Sequence, residues 1–457
     1  MQLSEDQEKA VSALLGALTH RDEAVLVGPA GTGKTTTLRA FVERWQGGAH
    51  KKARLSPEPA CVCPTWKAAL RFTEITEWDA TSIHKMIYGA PEESVDEKGR
   101  ETLVFRGVDT EKAGVRKRLI IVDEASMVGT KVYRDLKYFA KNNRCKILFV
   151  GDREQLEPVN DEWGVDFDNP TAALTKVHRQ ADGSNLLDFV TCVREGQMQS
   201  FKSYGSDVIH HKGISEDLMV DFWQSNIPVS EKIVITYTNR LRMGQNNIAR
   251  RALNHSGVIP NPGEPIMSFG NRAGLVNGEI VMVKKQVAPV GAAESILRGE
   301  EKVDNVLAQA IKGMGLTLCE LSVAPAMETK GSKTIYVIPE ALGLFGRKKS
   351  EFWKELVSSL VRQSGGELFN QWGRLNERRK GQTSARNRAL MQEYAQLADV
   401  DFGYACTAHK SQGSQWDNVF VLFEPTFRKV TAGPAERRRW TYTACTRAAK
   451  SLSLGSL

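Results

Sequence analysis

Ala24-Val25-Leu26-Val27-Gly28-Pro29-Ala30-Gly31-Thr32-Gly33-Lys34-Thr35 is the stretch that decides the fold of this 457-residue chain. Its first four residues are apolar and read as a buried strand. The rest fits G-x-x-x-x-G-K-[ST], and Thr36 to Trp45 then reads as a helix. A strand, a glycine-rich turn and a helix N-terminus together offer backbone N–H groups and a positive partial charge to a phosphate. Gly28, Pro29, Ala30, Gly31, Thr32, Gly33, Lys34, Thr35 and Thr36 therefore form a candidate nucleotide site. Lys34 is expected on the β/γ-phosphates of ATP and the Thr35 hydroxyl on Mg²⁺. An accidental glycine turn is the competing reading; the strand, the helix and the Lys-Thr pair argue against it.

Two more strand ends add chemistry. Leu119-Ile120-Ile121-Val122 runs into Asp123-Glu124. Carboxylates at the C-terminal edge of a sheet stand where ligands bind in α/β folds. Asp123 is expected to hold Mg²⁺, and Glu124 to orient or deprotonate the attacking water. Alone, such a pair is usually a solvated loop charge; the strand before it and the phosphate loop upstream change that reading. Ile147 to Val150 leads into Gly151-Asp152-Arg153-Glu154-Gln155, where Gln155 can hydrogen-bond a γ-phosphate or the water. Far downstream, Tyr442-Thr443-Ala444-Cys445-Thr446-Arg447 offers an arginine able to reach the same nucleotide. Phosphoryl transfer spreads negative charge over the γ-phosphate oxygens, so a cation is useful there.

The apolar runs at Ala24 to Val27, Ala60 to Cys63, Leu119 to Val122, Ile147 to Val150, Ile233 to Thr236 and Val419 to Phe423 are mostly followed by a turn and a helical pattern. Strands alternating with helices predict an α/β fold with parallel sheets covered on both faces. One such domain is expected over 1–182, and a second from 183–254 together with 400–457. The polar stretch 89–114 reads as a small inserted β-hairpin around Thr102 to Phe105. The segment 255–399 reads as an inserted barrel-like β unit carrying a charged helical projection.

Composition sets the class. The chain is 41% hydrophobic and 25% charged, ordinary for a globular protein. It contains no apolar run long enough to span a membrane. Met1 to Asp6 lacks the basic start and apolar stretch of a signal peptide, so a cytoplasmic location is expected (the host's cytoplasm if a phage encodes the chain). Seven scattered cysteines read as reduced thiols, with Cys61 and Cys63 buried in a strand rather than bound to zinc. The net charge of +8 favours a polyanionic partner such as nucleic acid.

Taken in order, these segments resemble the superfamily-one helicases of the RecD/Dda branch. The likeness covers nearly the whole chain except 255–399. It implies two RecA-like P-loop domains, with the β unit of the insertion SH3-like. Gln7 resembles the adenine-recognising glutamine. Cys63-Pro64-Thr65-Trp66-Lys67-Ala68-Ala69 and Thr81-Ser82-Ile83-His84 resemble motifs that grip a single strand, which implies contacts from Pro64, Thr65, Trp66, Lys67, Thr81 and His84. Leu174 to Gln180 resembles the segment whose arginine, Arg179, touches the γ-phosphate. Tyr237, Thr238 and Asn239 resemble the opening of the second motor domain, and Asn277-Gly278-Glu279 the turn into the β unit. Thr407-Ala408-His409-Lys410-Ser411-Gln412-Gly413 is close to diagnostic: Thr407, His409 and Lys410 are implied on the nucleic-acid backbone, Gln412 and Gly413 near the γ-phosphate. Arg447 is implied as the arginine finger.

This chain departs from the family at Glu157, which stands where proline is usual, and at Trp66, which reads equally as a stacking face or as a packed indole. Phe105 is a candidate stacking tip on a strand-separating hairpin; that it faces the hairpin's own core is the other reading. The resemblance implies an ATP-driven 5′-3′ DNA helicase, a monomer acting on single-stranded DNA and on single-strand/duplex junctions. Replication or recombination proteins, a single-strand binding protein among them, are expected partners. An RNA helicase, a P-loop kinase for a small molecule, and a nucleic-acid binding module with a degenerate ATP site are the rival readings.

Overall fold

The computed structural model describes residues 3–47, 58–88, 92–95, 101–104, 107–109, 119–158, 161–176, 185–197, 205–287, 306–325, 331–363, 397–427, 431 and 433–456. Contacts divide the chain into two compact units. The first comprises Met1–Pro91, Phe105–Lys212 and Ser411–Leu457, and the second Glu92–Val104 and Gly213–Lys410.

In the first unit, six parallel strands line up in the order Ala80–Ser82, Ala60–Cys63, Leu119–Val122, Lys146–Gly151, Glu23–Val27 and Ala172–Ala173. Leu119–Val122 is buried throughout, because helices cover both faces. Side chains alternate across the pleat. Leu26, Leu119, Ile121, Leu148 and Val150 join Leu14, Leu18, Leu38 and Phe41 of the helices Glu5–His20 and Lys34–Gly47. Val25, Ile120, Val122, Ile147 and Phe149 join Leu136 and Phe139 of the helix Thr130–Asn142. Each apolar residue of these strands thus has a helix to bury against. Cys61 and Cys63 lie buried in their strand. A second parallel array in this unit aligns Trp416–Phe423 with Ala448–Ser456, and that with Val208–His211.

The second unit holds the parallel pair Lys232–Thr236 and Ala405–Thr407. It also holds an antiparallel sheet in the order Lys333–Val337, Cys319–Pro325, Ile280–Val287, Pro265–Ser268 and Val400–Phe402. Tyr336 forms a parallel bridge with Leu397, and the Ala398 amide donates to the Tyr336 carbonyl at 2.8 Å. The first strand therefore meets the approach to the last, and the sheet curls into a barrel with little open edge. Ile266, Val281, Val283, Leu321, Val323 and Ile335 fill it. The helices Val306–Gly313 and Gly346–Gln363 add an apolar layer around Ile311, Trp353, Leu356 and Leu360. The hairpin is present as well, with Glu92–Val95 antiparallel to Glu101–Val104; Phe105 lies outside the described residues. No helix among the described residues is long and apolar enough to cross a membrane.

One buried ion pair anchors the second unit. Arg242, 1% exposed, reaches Asp401 Oδ2 at 2.7 Å and Asn239 Oδ1 at 3.2 Å. Removing one partner of such a pair strands the other charge away from water, at a cost of roughly 3–5 kcal/mol. Arg242→Ala should therefore lower stability by about that amount in urea unfolding. A loss under about 1 kcal/mol would mean that Asp401 is satisfied by its neighbours alone.

Candidate nucleotide and nucleic-acid sites

The glycine loop takes its shape from two neighbours. Gly31 and Gly33 have φ of 85° and 77°, the left-handed region that glycine enters without strain. A Cβ on Gly33 would stand 2.4 Å from Gln7 Nε2, so any side chain there would also displace that amide. Gln7 completes a capping box with Ser4 at the start of its helix, is 5% exposed, and donates to the Thr32 carbonyl at 3.5 Å. The sequence marked Gln7 as a nucleotide contact; its packing against the loop puts it beside the expected site. Lys34 Nζ donates to the carbonyls of Gly28 at 2.8 Å and Pro29 at 3.0 Å, which holds the ammonium over the loop. Thr32 bonds back to Pro29 O at 3.0 Å, while Thr35 and Thr36 occupy the first helical turn.

The Asp123 carboxylate lies in the field of this lysine. The Asp123 amide donates to Val62 O at 3.0 Å, which fixes the strand end. Burial first, and the Glu124 charge second, push the Asp123 carboxyl up to about 7; the Lys34 ammonium pulls it down. Glu124 has φ 52°, a left-handed backbone in a residue other than glycine, which stores strain at the site. Two repelling carboxylates at a strand end suit a divalent cation, which offsets their charge. Gln155 is 4% exposed and its Oε1 has no hydrogen-bond partner among the described residues; the same is true of Gln412 Nε2. Buried unpaired polar atoms cost roughly 1–3 kcal/mol each; a water could donate to Gln155 Oε1, and a phosphate oxygen or a water could accept from Gln412 Nε2.

Arg447 lies in the same unit as the loop. It is 6% exposed. Its Nε donates to Thr443 O at 3.0 Å, Nη1 to Ser414 O at 3.2 Å and Nη2 to Thr446 Oγ1 at 2.9 Å. Burial lowers its pKa, and the Glu124 carboxylate is the largest influence opposing that. The helix before it, Pro434–Cys445, is clamped to the loop after Lys146–Gly151. Tyr442 donates to Asp152 Oδ2 at 2.7 Å, the Leu156 amide donates to Thr443 Oγ1 at 3.1 Å, and Arg438 pairs with Glu154 at 2.7 Å. Glu157, the departure from the family pattern, pairs with Arg439, whose guanidinium also sits 4.5 Å from the Trp163 ring centre. Arg179 lies outside the described residues.

The single-strand candidates fall on strand ends in both units. Thr65 caps the helix Trp66–Thr76 by accepting from Ala68 N at 3.1 Å. Thr238 does the same for Asn239–Ala252, accepting from Leu241 N at 3.2 Å. Pro64 and Lys67 flank Trp66, which is half-buried with Lys85 Nζ 4.5 Å from its ring centre, so the indole serves a cation. Thr81 Oγ1 is buried without a partner among the described residues. His84 is held below the usual imidazole range by burial and then Lys131. Gly413 has φ 72°, and a Cβ there would stand 3.3 Å from Ala68 Cα, so only glycine lets this segment dock on the helix Trp66–Thr76. In the second unit Tyr237 is half-buried and Asn239 Oδ1 accepts from Arg242. Thr407 ends its strand, His409 is exposed, and Lys410 donates to Asn277 Oδ1. Burial pushes the Lys410 ammonium down to about 8; Asp399 opposes this, while Lys349 and Arg242 add to it.

Sequence reasoning missed Asp152 and Tyr442 as site residues, and Phe269, which has Lys349 at 4.3 Å, Arg242 at 4.9 Å and Lys410 at 5.4 Å from its ring centre. Tyr442 stood inside a quoted motif; Phe269 carried no signal.

Residues 2–212 match the family model described as an AAA domain, and residues 402–454 that of the UvrD-like helicase C-terminal domain. The chain is 24% identical over 452 residues to the ATP-dependent RecD2 DNA helicase of Deinococcus radiodurans, covering 98% of this chain and 48% of that protein. It is 26% identical over 269 residues to the ATP-dependent DNA helicase dda of Enterobacteria phage T4, covering 55% and 57% respectively. The chain thus spans about half the length of the curated relatives it matches. A solved structure of two coordinating Pif1 helicases at forked duplex DNA shares the fold, with TM-score 0.50, 15% identity and coverage of 99% of this chain and 92% of that one. By these models and likenesses the chain is similar to superfamily-one helicases of the RecD/Dda branch.

Proposed function

We propose that this chain is an ATP-dependent DNA helicase that moves 5′ to 3′ on single-stranded DNA and unwinds duplexes. The observation that carries the reading is the buried Arg447, which shares one electrostatic neighbourhood with Glu124, as Lys34 does with Asp123. Lys34, Arg447 and Arg179 offset the charge that develops on the γ-phosphate, and Glu124 and Gln155 position the water. Gln7 contacts the adenine, the amides of Gly28 to Thr36 cradle the phosphates, and Gln412 and Gly413 adjoin the γ-phosphate. Thr35 and Asp123 would hold Mg²⁺, which when bound neutralises part of the phosphate charge.

The two motor lobes of this reading are 1–182, with the hairpin 89–114, and 183–254 with 400–457; 255–399 is the inserted barrel and helical subdomain. ATP bound between Lys34 and Arg447 draws the lobes together, and hydrolysis releases them. Pro64, Thr65, Trp66, Lys67, Thr81, His84, Tyr237, Thr238, Asn239, Thr407, His409 and Lys410 grip the strand, mostly at phosphates, and the hairpin 89–114 is the wedge, with Phe105 its candidate stacking residue. Single-strand/duplex junctions are the substrate, and the chain acts as a cytoplasmic monomer alongside replication or recombination proteins such as a single-strand binding protein.

Duplexes with only a 5′ tail or only a 3′ tail, in DNA and in RNA, test this directly. With ATP, only the 5′-tailed DNA should open; RNA unwinding, or ATP turnover indifferent to any single strand, would overturn it. Lys34→Ala should abolish turnover while single-strand binding, measured by anisotropy, stays within a few-fold of wild type. Lysine loses its charge as pH rises through its pKa, so strand affinity should fall by up to about tenfold between pH 7 and pH 9. Lys410→Arg should flatten that profile; an unchanged slope removes Lys410 from the strand site.

A further inference from the structure

We propose that Tyr442 is a positioning residue that ties the conformation of the glycine loop to the arginine helix. This rests on the ATP-site reading above and deepens it. The Tyr442 hydroxyl accepts from the Ala30 amide at 3.3 Å and donates to Asp152 Oδ2 at 2.7 Å. The Tyr442 side chain is fully buried, so its bond to Asp152 does not compete with bulk water, while the Ala30 bond is part-buried. Asp152, 1% exposed, is fixed in turn by the Glu154 amide at 3.1 Å on its other oxygen. Two backbone amides of the loop are tethered from outside it, Gly28 N to Gly151 O at 3.1 Å and Ala30 N to this hydroxyl, besides the Gln7 bond to Thr32 O.

The second tether belongs to the helix turn that also sets Arg447. Thr443 is the next residue; its hydroxyl accepts from Leu156 N at 3.1 Å and its carbonyl from Arg447 Nε at 3.0 Å. A shift of this turn moves the Ala30 anchor and the guanidinium together. Nucleotide grip and arginine position are thereby coupled through one residue. No atom of Tyr442 needs to touch the nucleotide, so its effect runs through the loop.

Tyr442→Phe keeps the buried ring and deletes only the hydroxyl. Affinity for a fluorescent ATP analogue should weaken about fivefold without nucleic acid, the loss of roughly one hydrogen bond. KM for ATP should rise by a similar factor, with kcat in saturating single-stranded DNA within about twofold of wild type. A merely structural tyrosine predicts a lower melting temperature with KM and analogue affinity unchanged, and that result overturns the proposal. So does a fall in kcat alone. If Tyr442→Phe fails to fold, Asp152→Asn removes the charged acceptor that orients the hydroxyl, and KM should rise at least twofold; an unchanged KM there also overturns it. Wild-type protein that binds no nucleotide would sink the ATPase reading itself, whereas wild-type turnover with an unaffected Tyr442→Phe sinks only the tether.

Discussion

A guanidinium taken out of water must find acceptors, and Arg447 finds three within its own unit: Thr443 O, Ser414 O and Thr446 Oγ1. None of the three carries a full negative charge. The opposing charge that bears on it most is Glu124, at the end of the strand Leu119–Val122. A buried cation held by neutral oxygens near a carboxylate is costly as structure alone, because its desolvation is incompletely offset. The cost makes sense where negative charge arrives and leaves, as on a phosphoryl group in transfer. The helix Pro434–Cys445, clamped to the Asp152–Glu157 segment, carries this placement.

The carboxylates meet the same constraint with the opposite sign. Asp123 and Glu124 repel each other in a buried setting, and Lys34 offsets only part of that. Lys34 meanwhile hydrogen-bonds two carbonyls of its own loop. The site thus holds cations at two corners and anions at a third, each short of full compensation. On the proposed reading, triphosphate and metal complete the balance, and turnover disturbs it. The clamp through Tyr442, Thr443, Arg438 and Arg439 is the mechanical counterpart. It joins the helix before Arg447 to the Asp152–Glu157 segment by four separate contacts.

Much of this could be read from the chain. Apolar runs buried on both faces announce themselves, so strands such as Leu119–Val122 and Lys146–Gly151 were legible. Strands with mixed composition were not: Ala80–Ser82, Val208–His211 and Ala448–Ser456 are set by pairing with neighbours distant in sequence. Motif residues on rigid strand ends could be picked out as candidates because phosphate chemistry demands their types. The capping roles of Thr65 and Thr238 were hidden, since a threonine after a strand serves a helix cap and a ligand contact equally well. Tyr442 could not be singled out because its importance is positional, arising only where a helix meets a loop more than four hundred residues away. Glu157, a departure from the family pattern, became intelligible once Arg439 stood beside it.

Nucleotide binding with a transition-state mimic asks whether this placement matters to chemistry. ADP titrated calorimetrically with and without aluminium fluoride, in saturating single-stranded DNA and Mg²⁺, compares a ground-state ligand with one resembling the transferring phosphoryl group. Wild-type protein should bind the fluoride complex at least about a hundredfold more tightly than ADP alone, since transition-state analogues gain most from preorganised charge. Arg447→Ala should lose most of that gain while binding ADP nearly as well. Equal tightening in both proteins would show that the guanidinium stands away from the transferring group, and the account of a single shared pocket would fail.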